Sequence, residues 1–308
     1  MSDLTTETYA TQWLARKKGE VEIATYRSYN STVPEFVKHI GPLAKQPPLA
    51  LRKGDVEAYR DSVAKRVSAR TANNKLKVVR TFLASAWEDD LISDNPAAKV
   101  RILKAEDVIR RGFTIQELQK VMAKATGEWI GMILFGFYTG QRLKDICEMT
   151  WSRIGLEDGT LRFSTSKTDR SMSIPLAAPL LAWLRKQKAG KPGEPVFPNA
   201  NATMKRTQDT GQLSDQFYEI LVKAELTAAR PTSHKATGVG RGGKRTRNPL
   251  TFHSLRHTAT SFLRQRGVSD AIVRDIIGHD SVEVSREYTH IDDKPKRTAL
   301  NKLPDISG

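Results

Sequence analysis

Apolar residues in the first hundred positions recur at helical spacing. Tyr26, Tyr29, Val33, Phe36, Val37 and Ile40 share one helix face, and Gly41-Pro42 ends the run. Asp55 can cap a second helix through Val56, Tyr59, Val63 and Val67. A third set, Leu76, Val79, Phe82, Leu83, Ala86 and Trp87, stops before the turn signal Ser93-Asp94-Asn95-Pro96. With a short leading helix around Trp13 and Leu14, these make a small helical bundle over residues 1–105. The periodicity fades between Asn95 and Gly112, and residues 106–113 read as a linker. Thr114-Ile115-Gln116-Glu117 then spells a capping box, which opens a second domain over residues 114–308. In it an apolar segment, Trp129 to Tyr138, precedes two short strands, Leu161-Arg162-Phe163 and Ser171-Met172-Ser173-Ile174, around a Lys167-Thr168-Asp169-Arg170 turn. Helical patterns resume at Leu180–Lys186 and Asp215–Leu226, and Pro231 to Pro249 reads as a basic loop. The fold class is mainly α with a small β-sheet or hairpin: a helical bundle followed by a mixed α/β domain.

Composition narrows the function. The chain has 308 residues, 39 % hydrophobic and 27 % charged, which is enough for a sizeable core and incompatible with wholesale disorder. No apolar run approaches the roughly 18 residues of a membrane span, and MSDLTTETYA has no secretory character, so no membrane partner is expected. The single cysteine, Cys147, excludes an intrachain disulfide framework and a cysteine-cluster metal site, and fits a reducing compartment. Fifty Lys and Arg against 34 Asp and Glu give a net charge of +16, which points to a polyanion. Between Leu226 and Ser269 there is no acidic residue, while Arg230, Lys235, Arg241, Lys244, Arg245, Arg247, Arg256, Arg264 and Arg266 are all present. Lys65, Arg66, Arg70, Lys75, Lys77 and Arg80 add a basic set to the helical domain, lying mostly between apolar positions. Alone such a set is a solvated helix face; beside a DNA-directed second domain it becomes a phosphate-contacting surface, together with Arg241, Lys244, Arg245 and Arg247.

Four short segments carry candidate chemistry: Thr139-Gly140-Gln141-Arg142 with Asp145; Ser166-Lys167-Thr168; His253-Ser254-Leu255-Arg256-His257; and Gly278-His279 followed by Tyr288-Thr289-His290. None is specific alone. Histidines four apart can share a helix face as metal ligands, but His253 and His257 have neither the metalloprotease Glu nor a third ligand nearby. Gly238–Gly243 lacks the Lys-Ser/Thr of a phosphate-binding loop. Cys147 reads as a small buried residue, His257 and His290 as structural, and Ile272, Val273, Ile276 and Ile277 as a core stripe that places Gly278 at a helix C-cap.

Taken in order, arginine, acid, hairpin lysine, His-x-x-Arg, Gly-His and a late tyrosine resemble the tyrosine recombinases, the phage-integrase and Xer-like family, across the whole chain. The resemblance implies a SAM-like core-DNA-binding domain, a linker and a catalytic domain. It assigns the two arginines to Arg142 and Arg256, the hairpin lysine to Lys167, the histidines to His253 and His279, and the nucleophile to Tyr288. Asp145 stands where Glu is commoner, a mild departure, and is expected to orient Arg142 or a histidine. The residue types suit the task. Guanidinium groups neutralise a phosphate bidentately without deprotonating. A phenol with pKa near 10 needs a base, for which His253 is the candidate, and Lys167 can protonate a leaving 5′-oxygen. His279 is expected to hydrogen-bond the scissile phosphate.

The expected activity is site-specific recombination of double-stranded DNA through a 3′-phosphotyrosyl link, with no metal, ATP or other cofactor, serving a phage or mobile element. Xer-like resolution of chromosome or plasmid dimers is the alternative. A type IB topoisomerase, a telomere resolvase, or a non-catalytic DNA-binding regulator of the same fold are the rivals. The resemblance further implies a homo-tetramer on two duplexes, an accessory directionality factor, a cytoplasmic, nucleoid-associated location, and no arm-site-binding domain. After Tyr288 the tail from residue 289, whose only apolar cluster is Ala299, Leu300 and Leu303, is expected to dock on a neighbouring protomer.

Overall fold

A computed structural model describes residues 4–105, 111–164, 171–229, 248–277 and 293–306, and the chain divides into two compact units. The first is helical. Helix α1 (Thr6–Glu20) starts where the Thr5 side chain accepts the Thr8 N–H, and it is longer than its apolar residues alone define. Helix α2 (Ile23–Ile40) carries Pro34 within it and ends where Gly41 takes φ +56°, a conformation glycine adopts without a Cβ clash. Helix α3 (Lys53–Ala64) begins earlier than Asp55 predicts: Arg52 is the N-cap, and the Asp55 carboxylate reaches back to the Arg52 N–H at 2.8 Å. Ser68 caps α4 (Ala69–Glu88) by accepting the Thr71 N–H. Trp13, Phe36, Tyr59 and Phe82 are fully buried where the four helices meet. Trp87, placed on the apolar face by periodicity, is 53 % exposed at the end of α4.

The second unit is built round an apolar helix. The capping box forms as spelled, with Thr114 and Glu117 exchanging side-chain and backbone bonds at the start of α5 (Ile115–Lys124). Helix α6 (Glu128–Tyr138) is buried on every face from Gly131 to Tyr138. Two glycines let neighbours close on it. A Cβ at Gly131 would meet Trp183 at 2.1 Å, and one at Gly136 would meet Leu255 at 2.8 Å. The short α7 (Leu143–Cys147) follows. The three-stranded antiparallel sheet then runs β1 (Ile154–Gly155), β2 (Thr160–Ser164) and β3 (Ser171–Pro175), with Leu161 opposite Ile174. The short β1 is an addition to the two strands read from sequence. Around this lie α8 (Ala178–Arg185), α9 (Pro198–Thr207), α10 (Gly211–Lys223), α11 (His253–Gln265), α12 (Asp270–Ile277) and α13 (Asp293–Leu300). Helix α9 has a polar sequence and is capped from a distance: the Glu128 carboxylate accepts the Asn199 and Ala200 N–H groups at 2.8 and 2.9 Å.

The tail departs from expectation. Ala299, Leu300, Leu303 and Ile306 are buried in the core of their own unit, not left for a neighbouring protomer. The Tyr138 hydroxyl donates to the Pro304 carbonyl at 2.8 Å and accepts the Ile306 N–H at 3.3 Å. That pairing joins the far end of the tail to the central helix, and the added Ile306 contact supplies the apolar area that residues 299–303 lack alone.

Candidate active site

The site is organised by the turn after α6. Thr139 ends the helix, and its hydroxyl donates to the Phe135 carbonyl at 2.6 Å and accepts the Gln141 N–H at 3.3 Å. Gly140 follows at φ +63°, where a Cβ would lie 2.6 Å from the Ile277 Cδ1 atom. The chain then re-enters extended backbone at Arg142, the N-cap of α7. Arg142 is about half exposed, and its guanidinium lies 4.0 Å from the Asp145 carboxylate one turn on.

Arg256 reaches the same turn from α11. Its side chain is buried, 3 % exposed, and one guanidinium nitrogen donates to the Gly140 carbonyl at 2.7 Å. The sequence separation is 116 residues, yet the bond fixes Arg256 against the backbone two residues before Arg142. His253 is the first residue of α11, and its ring meets that of His257 edge-on, with centroids 4.8 Å apart. Helix α11 is held at its start by the Ser254 hydroxyl, which accepts the Thr251 N–H, and at its middle by Thr258, which accepts the Phe113 N–H at 2.7 Å. Among the described residues no group of three His, Cys, Asp or Glu side chains is placed to hold a metal.

Lys167, His279, Tyr288, Arg241, Lys244, Arg245 and Arg247 lie outside the described residues, as does Gly278. Their flanks are described: β2 and β3 precede and follow Lys167 in sequence, α12 ends just before Gly278, and α13 begins five residues beyond Tyr288. Cys147 is buried beside the site on α7, and burial pushes its thiol up to about 12.

In the first unit Lys65, Arg66, Arg70 and Lys77 are exposed, whereas Lys75 and Arg80 are half-buried. The arrangement contains an acid that charge counting does not reveal. The Glu35 carboxylate accepts from Arg66 at 2.6 Å and also from Lys75. Burial works to raise its pKa, but the two cations together hold it below the usual carboxylate range. Arg80 is turned inward: its guanidinium donates to the Ala97 and Val100 carbonyls, which makes it a brace for the segment after α4. Sequence could flag Glu35 only as a lone acid between apolar positions.

Known proteins show the class to which this arrangement belongs. Residues 111–295 match the model of the phage integrase family. The chain belongs to this family, that of the tyrosine recombinases. It is 28 % identical over 226 residues to the integrase of Enterobacteria phage 434, an alignment that covers 69 % of this chain and 57 % of that protein. It is 22 % identical over 303 residues to the tyrosine recombinase XerC of Chlamydia muridarum, covering 89 % of each. In fold it resembles a lambda integrase fragment, residues 75–356 of that protein, solved as a dimer bound to a core site. The TM-score is 0.67 at 22 % identity, over 94 % of this chain and 99 % of the other. No helix among the described residues is long and apolar enough to cross a membrane.

Proposed function

We propose that the protein is a site-specific recombinase that cuts and rejoins double-stranded DNA through a covalent protein–DNA intermediate. The observation that carries this reading is the convergence of Arg256 and the Arg142 turn, within a chain of the phage integrase family. Two guanidinium groups set about one turn of backbone can bracket a single phosphate and offset the charge that builds on its non-bridging oxygens.

The Tyr288 phenolic oxygen attacks phosphorus as its proton passes to His253. The bond from phosphorus to the 5′-oxygen breaks, and Lys167 protonates that oxygen, leaving a 3′-phosphotyrosyl link and a free 5′-hydroxyl. His279 donates a hydrogen bond to the phosphate, and Asp145 orients Arg142. Rejoining reverses the step with a 5′-hydroxyl from another strand. The phosphodiester energy is retained in the link, so ATP is not required. The domains are the helical residues 1–105, a linker at 106–113 and the catalytic residues 114–308. Lys65, Arg66, Arg70, Lys75 and Lys77, with Arg241, Lys244, Arg245 and Arg247, contact phosphates. Four subunits act on two duplexes, with an accessory factor setting direction, in the cytoplasm on the nucleoid.

Integration of a phage or mobile element is the favoured role, supported by likeness to the phage 434 and lambda integrases, the latter 27 % identical over 261 residues. Xer-like dimer resolution is the second reading, favoured by the alignment to XerC along 89 % of both chains. The test is a duplex spanning the junction of the element that encodes the chain, nicked so that the 5′-hydroxyl fragment is lost. A covalent complex with the wild type that vanishes in Tyr288→Phe supports the reading. Tight binding without any covalent complex would refute it in favour of a binding-only regulator.

A further inference from the structure

A lysine the proposed chemistry does not use is the most deeply buried charge of the described residues' ion pairs. Lys296, on α13, is 2 % exposed, and its stem is packed in the core of the second unit. Its ammonium group has three protons to donate and meets three acceptors. They are the Asp275 carboxylate of α12 at 3.1 Å, the Asp293 carboxylate at the start of α13 at 3.2 Å, and the Ser173 carbonyl of β3 at 2.8 Å. The ammonium therefore joins three different elements: the interior of α12, the start of α13 and the middle of β3. A buried ion cluster of this kind is weak evidence for stability, since apolar replacements often fold as well. Its use lies in what it joins.

The three acceptors flank the two stretches that carry chemistry. Asp275 lies three residues before Gly278, and Asp293 lies five residues after Tyr288. One ammonium thus fastens both ends of the stretch that bears His279 and Tyr288. Ser173 lies six residues after Lys167, on the strand leaving that stretch. Neighbouring contacts strengthen the frame without duplicating it: Arg297 donates to the Asp158 carbonyl between β1 and β2, and Lys302 donates to the Arg266 carbonyl at the end of α11.

We infer that Lys296 is a positioning residue, which ties the strand that follows Lys167 to the two helices that flank the tyrosine-bearing stretch so that nucleophile and general acid are delivered to one phosphate together. The inference rests on the proposed recombinase chemistry for its catalytic part, but the tie itself is testable without DNA.

The test uses the full chain in three forms: wild type, Lys296→Met, and Lys296→Met combined with Asp275→Asn. The double variant also neutralises the half-buried carboxylate from which the single variant takes this cation, and so lowers the electrostatic cost of lacking the tie. Amide exchange is measured first. Faster exchange of α12, α13 and β3, with α5 and α10 unchanged, is the expected result. Unchanged exchange in α12, α13 and β3 overturns the tie, whatever the protein does with DNA. Covalent-complex formation on nicked junction DNA is measured next, at saturating DNA. We expect affinity within about two-fold of the wild type and a cleavage rate reduced ten-fold or more.

A third arm separates positioning from general loosening. With sulfur in place of the bridging 5′-oxygen the leaving group needs no proton, so the part of the defect that comes from misplaced Lys167 disappears. Partial recovery, at least three-fold relative to wild type on the same substrate, is expected. Wild-type cleavage by the double variant, or a loss of binding that matches the loss of cleavage, overturns the inference. A wild type that forms no covalent complex refutes the recombinase reading, and with it the catalytic part here, while the exchange result still decides the tie.

Discussion

Replacing Gly140 by alanine tests whether the turn that seats the two arginines is built as described. Two separate penalties apply. A non-glycine residue at φ +63° costs about 1–2 kcal/mol in this left-handed region. The new methyl would also lie 2.6 Å from the Ile277 Cδ1 atom and 3.1 Å from its Cγ2 atom, an overpacking of about 1–3 kcal/mol. Cδ1 can swing away by rotation about χ2, whereas Cγ2 moves only by a χ1 turn that a β-branched residue in a helix resists, so the sum is about 2–5 kcal/mol. Gly267→Ala is the control, because Gly267 has φ +72° with nothing within 4 Å of its Cβ position and carries only the backbone penalty. The single cysteine supplies the assay: Cys147 is fully buried in the second unit, so pulse alkylation across a guanidinium series reports the opening of that unit alone. Gly140→Ala should lie below Gly267→Ala by about 1–3 kcal/mol and should also slow covalent-complex formation, because the carbonyl that holds Arg256 belongs to the displaced residue. Equal stability of the two variants would refute the close approach of Ile277.

Tyr138→Phe removes the hydroxyl that serves the Pro304 carbonyl and the Ile306 N–H, costing about 1–3 kcal/mol, and amide exchange at residues 293–306 should rise. Acid should destabilise both units. Asp89 is held below the usual carboxylate range by its bond from Arg16, Glu117 by Arg111, and Glu35 by Lys75 and Arg66 acting together against its burial. Depressed folded values mean that the unfolded chain binds more protons near pH 4. The stabilisation is therefore complete above that range and lost as pH falls through the folded values, so Tm should be flat from pH 7 to 5 and drop below 4; a Tm independent of pH to 3 would contradict it. Glu35→Gln frees Arg66 and Lys75 from a competing anion, so DNA affinity should rise and its dependence on log salt should steepen by about one unit.

Much of this architecture can be read before any coordinates. The apolar spacing of α2 and α4 and the capping box of Thr114 and Glu117 depend on neighbours three or four residues away, and such local signals survive in the sequence. Helix α9 does not, because its N-terminus is satisfied by Glu128, some seventy residues earlier. Asp55 was legible as a cap but not as one acting from inside the helix, since both arrangements use the same residue type. The site shows the same division. Arg142 and Arg256 stand out by residue type, but that Arg256 is buried against the Gly140 carbonyl depends on a contact between distant segments. Arg80 was legible as a cation and not as a brace, because nothing local marks which carbonyls it meets. The docking of the tail was missed for want of Ile306, whose value depends on Tyr138.

The bond between Tyr138 and residues 304–306 also orders events in the cell. During synthesis the first unit can begin to fold as soon as its four helices have emerged, since its buried apolar core runs only from Tyr9 to Val100. The second unit has its central helix made early but must wait for Ile306, more than 160 residues later, to close over it. A nascent or prematurely terminated chain thus presents a basic helical unit next to an unfinished one. Closure of the second unit therefore waits for a ribosome that has translated past residue 306, so completion of its core is set by the last residues of the chain rather than by its central helix.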